Sequence, residues 1–197
     1  MKTIIYILFG MFLTCGFAQQ DETVSIHKLG NHDDQDYSKS YYYKDINNDL
    51  DKFVGTWKYD DGNKKLTLVF YKDVHATSGK DYSDEIYARF KYEENGTVIY
   101  NTLSDFSASS KLRITGSGFY PNSTTKMNLH YAEPTNIPYD RVGLKGLKYS
   151  PSLDIEYLPC VSLGCSPQLK WDLFFVRASA SDPIPFKIPF DLTLTKQ

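Results

Sequence analysis

The sequence is short of features on which several common functions depend. Its 22 basic and 24 acidic residues are interspersed and leave a net charge of −2. A protein that follows nucleic-acid phosphates needs clustered lysine and arginine, so we expect no nucleic-acid partner. No stretch keeps an apolar period of 3.6 residues for long, and the sequence therefore predicts no sizeable helix.

Motifs for catalysis and for cofactors are missing as well. There is no Gly-x-Ser-x-Gly of a hydrolase and no glycine-rich phosphate loop. The acidic pairs Asp60-Asp61 and Glu93-Glu94 lie in predicted turns, where hydrated carboxylates are poor candidates for acid–base catalysis. Residues 116–118, Gly-Ser-Gly, are interpreted as a break between strands. The sequence predicts a protein that is not an enzyme, with no catalytic residues and no cofactor.

Metal-binding patterns are incomplete. Residues 45–51 place acid or amide side chains at alternate positions, as a calcium loop does. That loop needs glycine at its sixth position and usually glutamate at its twelfth, where this chain has Leu50 and Thr56. The four histidines are scattered. We therefore expect a solvated acidic segment leading into the first strand, and no metal site.

The N-terminus has the features of a secretory signal. Lys2 precedes the apolar run 4–13, and small residues lie at the −3 and −1 positions of a cleavage site after Ala18. Residues 1–18 are predicted to be a signal peptide, so we expect an exported protein, either periplasmic or secreted. Lipid attachment at Cys15 is the alternative, although the residue before this cysteine is not small. No later apolar segment is long enough to cross a membrane as a helix.

Cysteine is scarce, since the chain has three and only Cys160 and Cys165 follow the predicted cleavage site. Two cysteines close in sequence, in an exported protein, favour a disulfide. A metal site would need a second cysteine or histidine pair at matching spacing, and the sequence has none. We predict a disulfide between the two.

The rest of the chain divides into two parts. Residues 19–45 are rich in charge and poor in aliphatic side chains, which predicts a flexible polar tail, with Tyr41–Tyr43 as an edge segment that packs. Residues 46–197 consist of short alternating segments separated by turns such as Asp61–Asn63 and Asn95-Gly96. This pattern predicts roughly nine or ten antiparallel strands in one all-β domain, forming a barrel or a β-sandwich.

The alternation predicts which side chains face the core. Leu66, Leu68 and Phe70 share one face of their strand, which is predicted to face the core. On the next strand Phe90 faces the core, while Arg89 lies on the other face and should be exposed to water.

The first predicted strand begins Gly55-Thr56-Trp57, which resembles the Gly-x-Trp start of the calycins, the lipocalin, fatty-acid-binding and avidin-like barrels. The resemblance implies a calycin-like antiparallel barrel in which a tryptophan closes one end. Glycine permits close approach of the chain, and an indole is large enough to act as a plug. The β-sandwich is then the alternative fold.

A fuller resemblance is to a family of secreted proteins from Bacteroidetes-type bacteria, which has no assigned function. The shared features are a signal peptide ending in Phe-Ala-Gln, a Gly-Thr-Trp-x-Tyr strand, a Gly-Asn hairpin, a lysine-rich second strand and a later segment that ends in Asn-Gly. In this chain they correspond to residues 17–19, 55–59, 62–63, 64–69 and 90–96. The resemblance implies an exported bacterial domain and brings no activity with it.

Two functions are therefore expected. The first is an exported, non-enzymatic binding protein that holds a small apolar ligand inside a lipocalin-like barrel. Its ligand site would be formed by aromatic side chains, namely Trp57, Tyr59, Phe70, Phe90 and Trp171. The alternative is a structural or surface-interaction module whose core is filled by its own side chains and whose outer face contacts a protein or a glycan.

Overall fold

The computed structural model describes residues 22–30, 36, 38–104, 114–134, 149–177, 184 and 186–197. The predicted signal peptide and Cys15 lie outside these ranges. Within them the chain forms β-strands and a single turn of 3₁₀ helix, Ile26–Lys28. The strands are β1 (Glu22–Ser25), β2 (Tyr41–Lys44), β3 (Gly55–Asp60), β4 (Lys64–Ser78), β5 (Asp81–Glu94), β6 (Thr97–Asn101), β7 (Ile114–Phe119), β8 (Lys126–His130), β9 (Tyr149–Leu158), β10 (Gln168–Arg177) and β11 (Asp191–Lys196).

Eight of these strands close into an antiparallel barrel. Their order around the barrel is β5-β4-β3-β11-β10-β9-β8-β7, and β7 pairs back with β5 through Ile86 opposite Gly116 and Ala88 opposite Ile114. Closure leaves no free edge between the first and last strand. The prediction of an all-β, antiparallel barrel is confirmed, and the sandwich alternative does not apply.

Strand β5 holds the barrel and the additional strands together. One of its edges pairs with β4 over nearly its full length. Its other edge pairs in turn with β2 at Tyr82–Ser83, with β7 at Ile86–Ala88 and with β6 at Lys91–Glu94. Strand β1 pairs with β2 in parallel. Strands β1, β2 and β6 therefore extend the sheet beyond the barrel wall.

Register defines the two ends of the barrel. We call the end that carries the β9–β10 connection, residues 159–167, the upper end. The start of β3 and the end of β11 lie there too, because Trp57 is opposite Lys196. The other end, which carries the β3–β4 and β5–β6 turns, is the lower end. Those two turns are adjacent, since the amide of Asn95 donates to the carbonyl of Asn63 at 2.7 Å.

Both predicted hairpin turns form. Asp61 organises the first, because its carboxylate accepts from the amides of Asn63 and Lys64 at 3.0 and 2.6 Å. Asn95 and Gly96 form the second with positive φ angles of 49° and 77°. These are the residue types that adopt such angles at the lowest cost.

The predicted break at residues 116–118 is wrong, because these residues lie inside β7. The pairing of β7 with β8 is irregular between Thr115 and Gly118. A Cβ atom on Gly116 would lie 3.1 Å from Cδ2 of Leu129. The glycine therefore permits close packing between strands here and does not mark a turn.

The inward positions of the barrel strands form one apolar core. Each strand contributes alternate residues, as the sequence pattern predicts. Arg89 is the exception to the predicted faces, since it lies on the outward side of β5 and is nevertheless buried. The core residues, none more than 4% exposed, are Trp57, Leu66, Leu68, Phe70, Ile86, Ala88, Phe90, Tyr92, Ile114, Met127, Leu129, Leu153, Ile155, Leu169, Trp171, Leu173, Leu192 and Leu194.

The segment predicted to be a polar tail contains two short strands. Residues 22–25 and 41–44 form β1 and β2, and Ile26 is only 1% exposed. Tyr41 and Tyr43 are buried, as expected of an edge segment that packs. A polar segment can pack in this way where its few apolar side chains reach a core built by the rest of the chain. The cleavage site itself stays a prediction.

Candidate functional site

Four of the five aromatic residues predicted to line a ligand site are part of the barrel core. Trp57, Phe70, Phe90 and Trp171 are at most 1% exposed, whereas Tyr59 is half-buried and packs against the same cluster. The hydroxyl of Tyr59 donates to the carboxylate of Asp61 at 2.9 Å. Ligand binding by these residues stays a prediction.

The upper end is covered by the segment that precedes β3. The indole Nε1 of Trp57 donates to the carbonyl oxygen of Phe53 at 2.7 Å, and the Phe53 side chain is fully buried. The Nζ atom of Lys196 lies 5.2 Å from the Trp57 ring centre and donates to the Lys52 carbonyl at 2.9 Å. Tyr157 packs edge-on against Trp57, with ring centres 6.2 Å apart. The covering segment is therefore bound to the barrel through the tryptophan.

A histidine hydrogen bond and a lysine ion pair fasten this cover. His27 Nε2 and Lys52 Nζ lie 2.9 and 3.1 Å from the two carboxylate oxygens of Asp49. Lys52 also donates to the carbonyl of Thr124, in the β7–β8 turn, at 2.9 Å. Burial alone would raise the pKa of Asp49, but the hydrogen bonds from His27 and Lys52 outweigh it and lower the pKa.

The acidic segment 45–51 is less solvated than predicted. The carboxylate of Asp45 is buried and accepts from the amides of Asp49 and Leu50 at 2.7 and 3.0 Å. Lys72 Nζ lies 2.9 Å from Asp45 and 2.7 Å from Asp51. These acids thus fold the covering segment and pair it with β4. Among the described residues, no group of three or more His, Cys, Asp or Glu side chains is placed to hold a metal ion.

The lower end is covered mainly by aromatic side chains. The indole Nε1 of Trp171 donates to the carbonyl of Pro189 at 3.2 Å. Tyr131 packs edge-on against Trp171, with ring centres 5.6 Å apart, and Phe186 packs against Tyr131 at 5.7 Å. Phe175 adds a further contact with Phe186 at 5.2 Å. Residues that follow β8 and precede β11 therefore cover this end.

One carboxyl group is buried within the lower aromatic cluster. Glu133 is 1% exposed, and it accepts from the hydroxyl of Tyr131 and from the amide of Lys187, both at 2.6 Å. Burial raises the pKa of Glu133, although these hydrogen bonds oppose the shift. Sequence reasoning missed this residue, because a single acid before a proline has no pattern that distinguishes it from a loop residue.

The disulfide between Cys160 and Cys165 is present, as predicted. It closes a loop, residues 160–165, that we call the disulfide loop and that lies at the upper end. Val161 is 92% exposed and Leu163 is 108% exposed. A disulfide is typical of proteins from oxidising compartments. The pairing was predictable from the spacing, whereas the full exposure of its two apolar side chains was not.

The outer wall carries a polar cluster on β8 and β9. Asp154 accepts from the hydroxyl of Tyr120 at 2.6 Å and from the side-chain amide of Asn128 at 2.8 Å. Lys126 lies 3.5 Å from the same carboxylate and 4.5 Å from the Tyr120 ring centre. A shallow depression beside the cluster is lined by Lys126, Asp154, Ile155, Glu156, Lys170 and Asp172. Charges of both signs meet there, so the cluster favours no charged partner.

No helix in the described ranges is long and apolar enough to span a membrane. No curated protein and no solved structure matches the chain. The sequence model of one protein family matches residues 1–197, the whole of the chain. The chain, whose barrel is covered at its upper end by the segment before β3 and at its lower end by residues before β11, therefore belongs to the family of unknown function DUF6705.

Proposed function

We propose that the protein is an exported, non-enzymatic surface-interaction module, in which the barrel is a filled scaffold and the outer surface contacts the partner. Of the two functions expected from the sequence, this one fits the geometry of the barrel better than storage of an apolar ligand. Export is supported by the disulfide, together with the signal peptide predicted for residues 1–18.

The observation that carries the proposal is the burial of the inward-facing side chains. A space large enough for an apolar ligand would leave accessible surface on the side chains that line it. Instead the large inward residues Trp57, Phe90, Tyr92 and Trp171 each have 0% of their surface exposed. Small eight-stranded barrels are often filled in this way by their own side chains.

The closed ends support the same proposal. A ligand that enters from above would have to displace Phe53, and one that enters from below would have to displace Phe186. Each covering segment is also hydrogen-bonded to the indole of a core tryptophan. Entry would therefore require local unfolding at either end.

Mass measurement tests the proposal directly. We expect the intact mass of the processed protein to be the same under native and denaturing conditions, since a filled barrel retains no small molecule. Leu68→Ala provides a positive control, because it opens a cavity in the core that an apolar fluorescent dye can enter. A native mass that exceeds the denatured mass by a discrete amount, or dye binding by the unaltered protein as tight as that of the variant, would overturn the filled barrel.

A further inference from the structure

We propose that the disulfide loop inserts Val161 and Leu163 into the surface of a lipid bilayer that contains anionic lipid. The inference rests on the proposed function, because it names the partner of the interaction module and the part of the surface that meets it.

The disulfide loop presents two apolar side chains to solvent. Val161 and Leu163 are 92% and 108% exposed. The other exposed large apolar residues project less, with Phe174 on the barrel wall at 64% and Val74 in the β4–β5 hairpin at 62%. Single exposed apolar residues are common on soluble proteins. Two that are almost completely exposed in one six-residue loop form a tip that can enter an apolar phase ahead of the rest of the molecule.

The disulfide loop is held in this conformation by covalent and hydrogen bonds. The disulfide joins its two ends, and the amide of Cys165 donates to the carbonyl of Ser162 at 3.3 Å. Gly164 has a φ of 81°, which reverses the chain behind Leu163. In this conformation both apolar side chains point into solvent. The cross-linked loop also has little conformational freedom left to lose when it binds.

A lysine lies near the loop on the outer wall. At the upper end, Leu158 is opposite Gln168, Gln168 is opposite Thr195, and Thr195 is opposite Lys58. Lys58 is therefore in the row of outward residues that lies next to the loop, and its side chain is exposed. A lysine near an apolar tip favours a surface that carries negative charge.

The area of the tip favours a bilayer over a protein. A stable protein interface buries about 800 Å² on each partner, around a core of several apolar side chains in matching pockets. Two side chains supply only a small part of such a core. The boundary between headgroups and acyl chains accepts apolar side chains without a shaped pocket. Insertion would be shallow, because the loop backbone needs water or headgroups as hydrogen-bond partners.

Flotation with lipid vesicles tests the inference. The processed protein, with its N-terminus fixed by intact mass, is mixed with vesicles of phosphatidylcholine alone or with 30% phosphatidylglycerol by composition. We expect the protein to float with the anionic vesicles, and the double variant Val161→Ser, Leu163→Ser to bind at least tenfold more weakly. The matched control Val74→Ser, Phe174→Ser removes two exposed apolar side chains elsewhere and should bind like the unaltered protein.

Charge is tested by one further substitution. Lys58→Gln should weaken binding to the anionic vesicles and leave any weak binding to neutral vesicles unchanged. Circular dichroism and urea unfolding check that every variant is folded, as expected of exposed positions. All variants share one N-terminus, so lipid attached at that end would not distinguish them.

Two results would overturn the inference. One is that the unaltered protein does not float with either vesicle, in which case the exposed tip would have a protein or a glycan as its partner. The other is that the variant Val161→Ser, Leu163→Ser floats as well as the control. Neither result bears on the filled barrel, which the mass comparison tests on its own.

Discussion

The two ends of the barrel are covered by different parts of the chain through one shared contact. At the upper end, Trp57 donates its indole hydrogen to Phe53 in the segment before β3. At the lower end, Trp171 donates to Pro189 in the segment before β11. Each tryptophan thus fills the barrel with its ring and fixes a backbone carbonyl of the cover with its polar edge.

The surroundings of these contacts differ. The upper cover is fastened by ion pairs whose members, such as Asp49 and Lys52, keep 13% and 23% of their side chains exposed. The lower cover is an aromatic cluster that encloses the single carboxyl of Glu133. Water therefore reaches the charged groups of the upper cover and is excluded from the carboxyl group of Glu133 at the lower end. Burial therefore dominates at Glu133 and raises its pKa, whereas at Asp49 the hydrogen bonds from His27 and Lys52 outweigh burial and lower the pKa.

The largest expected effect comes from removing either tryptophan. Trp57→Ala and Trp171→Ala should each lower the free energy of unfolding by about 3–5 kcal/mol, because each leaves a large cavity and an unpaired carbonyl. Urea unfolding followed by circular dichroism measures the change. Phe174→Ala, on the exposed wall, is the control and should stay within about 0.5 kcal/mol of the unaltered protein. A loss below about 1 kcal/mol at one end would show that the cover there does not depend on its tryptophan.

The next effect is the pH dependence that comes from the lower end. The pKa of Glu133 is raised in the folded protein, so the folded state holds this proton at pH values where the unfolded state has lost it. The contribution of Glu133 to the free energy of unfolding is complete below the ordinary glutamate pKa of about 4.3. It is lost as the pH rises through the raised pKa of the folded state. Urea unfolding between pH 4 and 8 should show this decline, and Glu133→Gln should remove it.

Two further variants check the assignment to Glu133. Glu156→Gln, on the outer wall, should leave the decline unchanged. Glu133→Leu should be less stable than Glu133→Gln by about 1–3 kcal/mol, because the donors on Tyr131 and Lys187 would lose their buried acceptor. If Glu133→Gln keeps the full slope of the unaltered protein, another group causes it.

Local sequence signals predicted the hairpins and the core, and they did so for physical reasons. Asn95-Gly96 has backbone preferences that suit a tight turn whatever surrounds it. The alternation in β4 placed Leu66, Leu68 and Phe70 on the buried face, because side chains alternate along any strand. Such rules need only neighbouring residues, so they hold without knowledge of the fold.

Features that depend on distant contacts were not predictable in the same way. The pairing of β5 with β7, which closes the barrel, depends on register across the fold. The position of β1 depends on Ile26, which follows this strand and packs into the core. The burial of Arg89 depends on contacts that its strand makes on the outer wall of the barrel. For the candidate site, the disulfide followed from spacing, while Glu133 and the exposed tip formed by Val161 and Leu163 required the structure.

The smallest expected effect is at the upper end, and its pH dependence has the opposite sign to that of Glu133. The pKa of Asp49 is lowered in the folded protein. Its contribution to the free energy of unfolding is therefore present above the ordinary aspartate pKa of about 3.9, and it is lost as the pH falls through the lowered pKa of the folded state. Asp49→Asn should cost about 0.5–1 kcal/mol at pH 7, since its partners are partly exposed. Urea unfolding at 0.1 and 1 M NaCl should show this cost shrink with salt. The Glu133 slope should change little with salt, because that group is enclosed; equal salt sensitivity at both ends would contradict the contrast drawn between them.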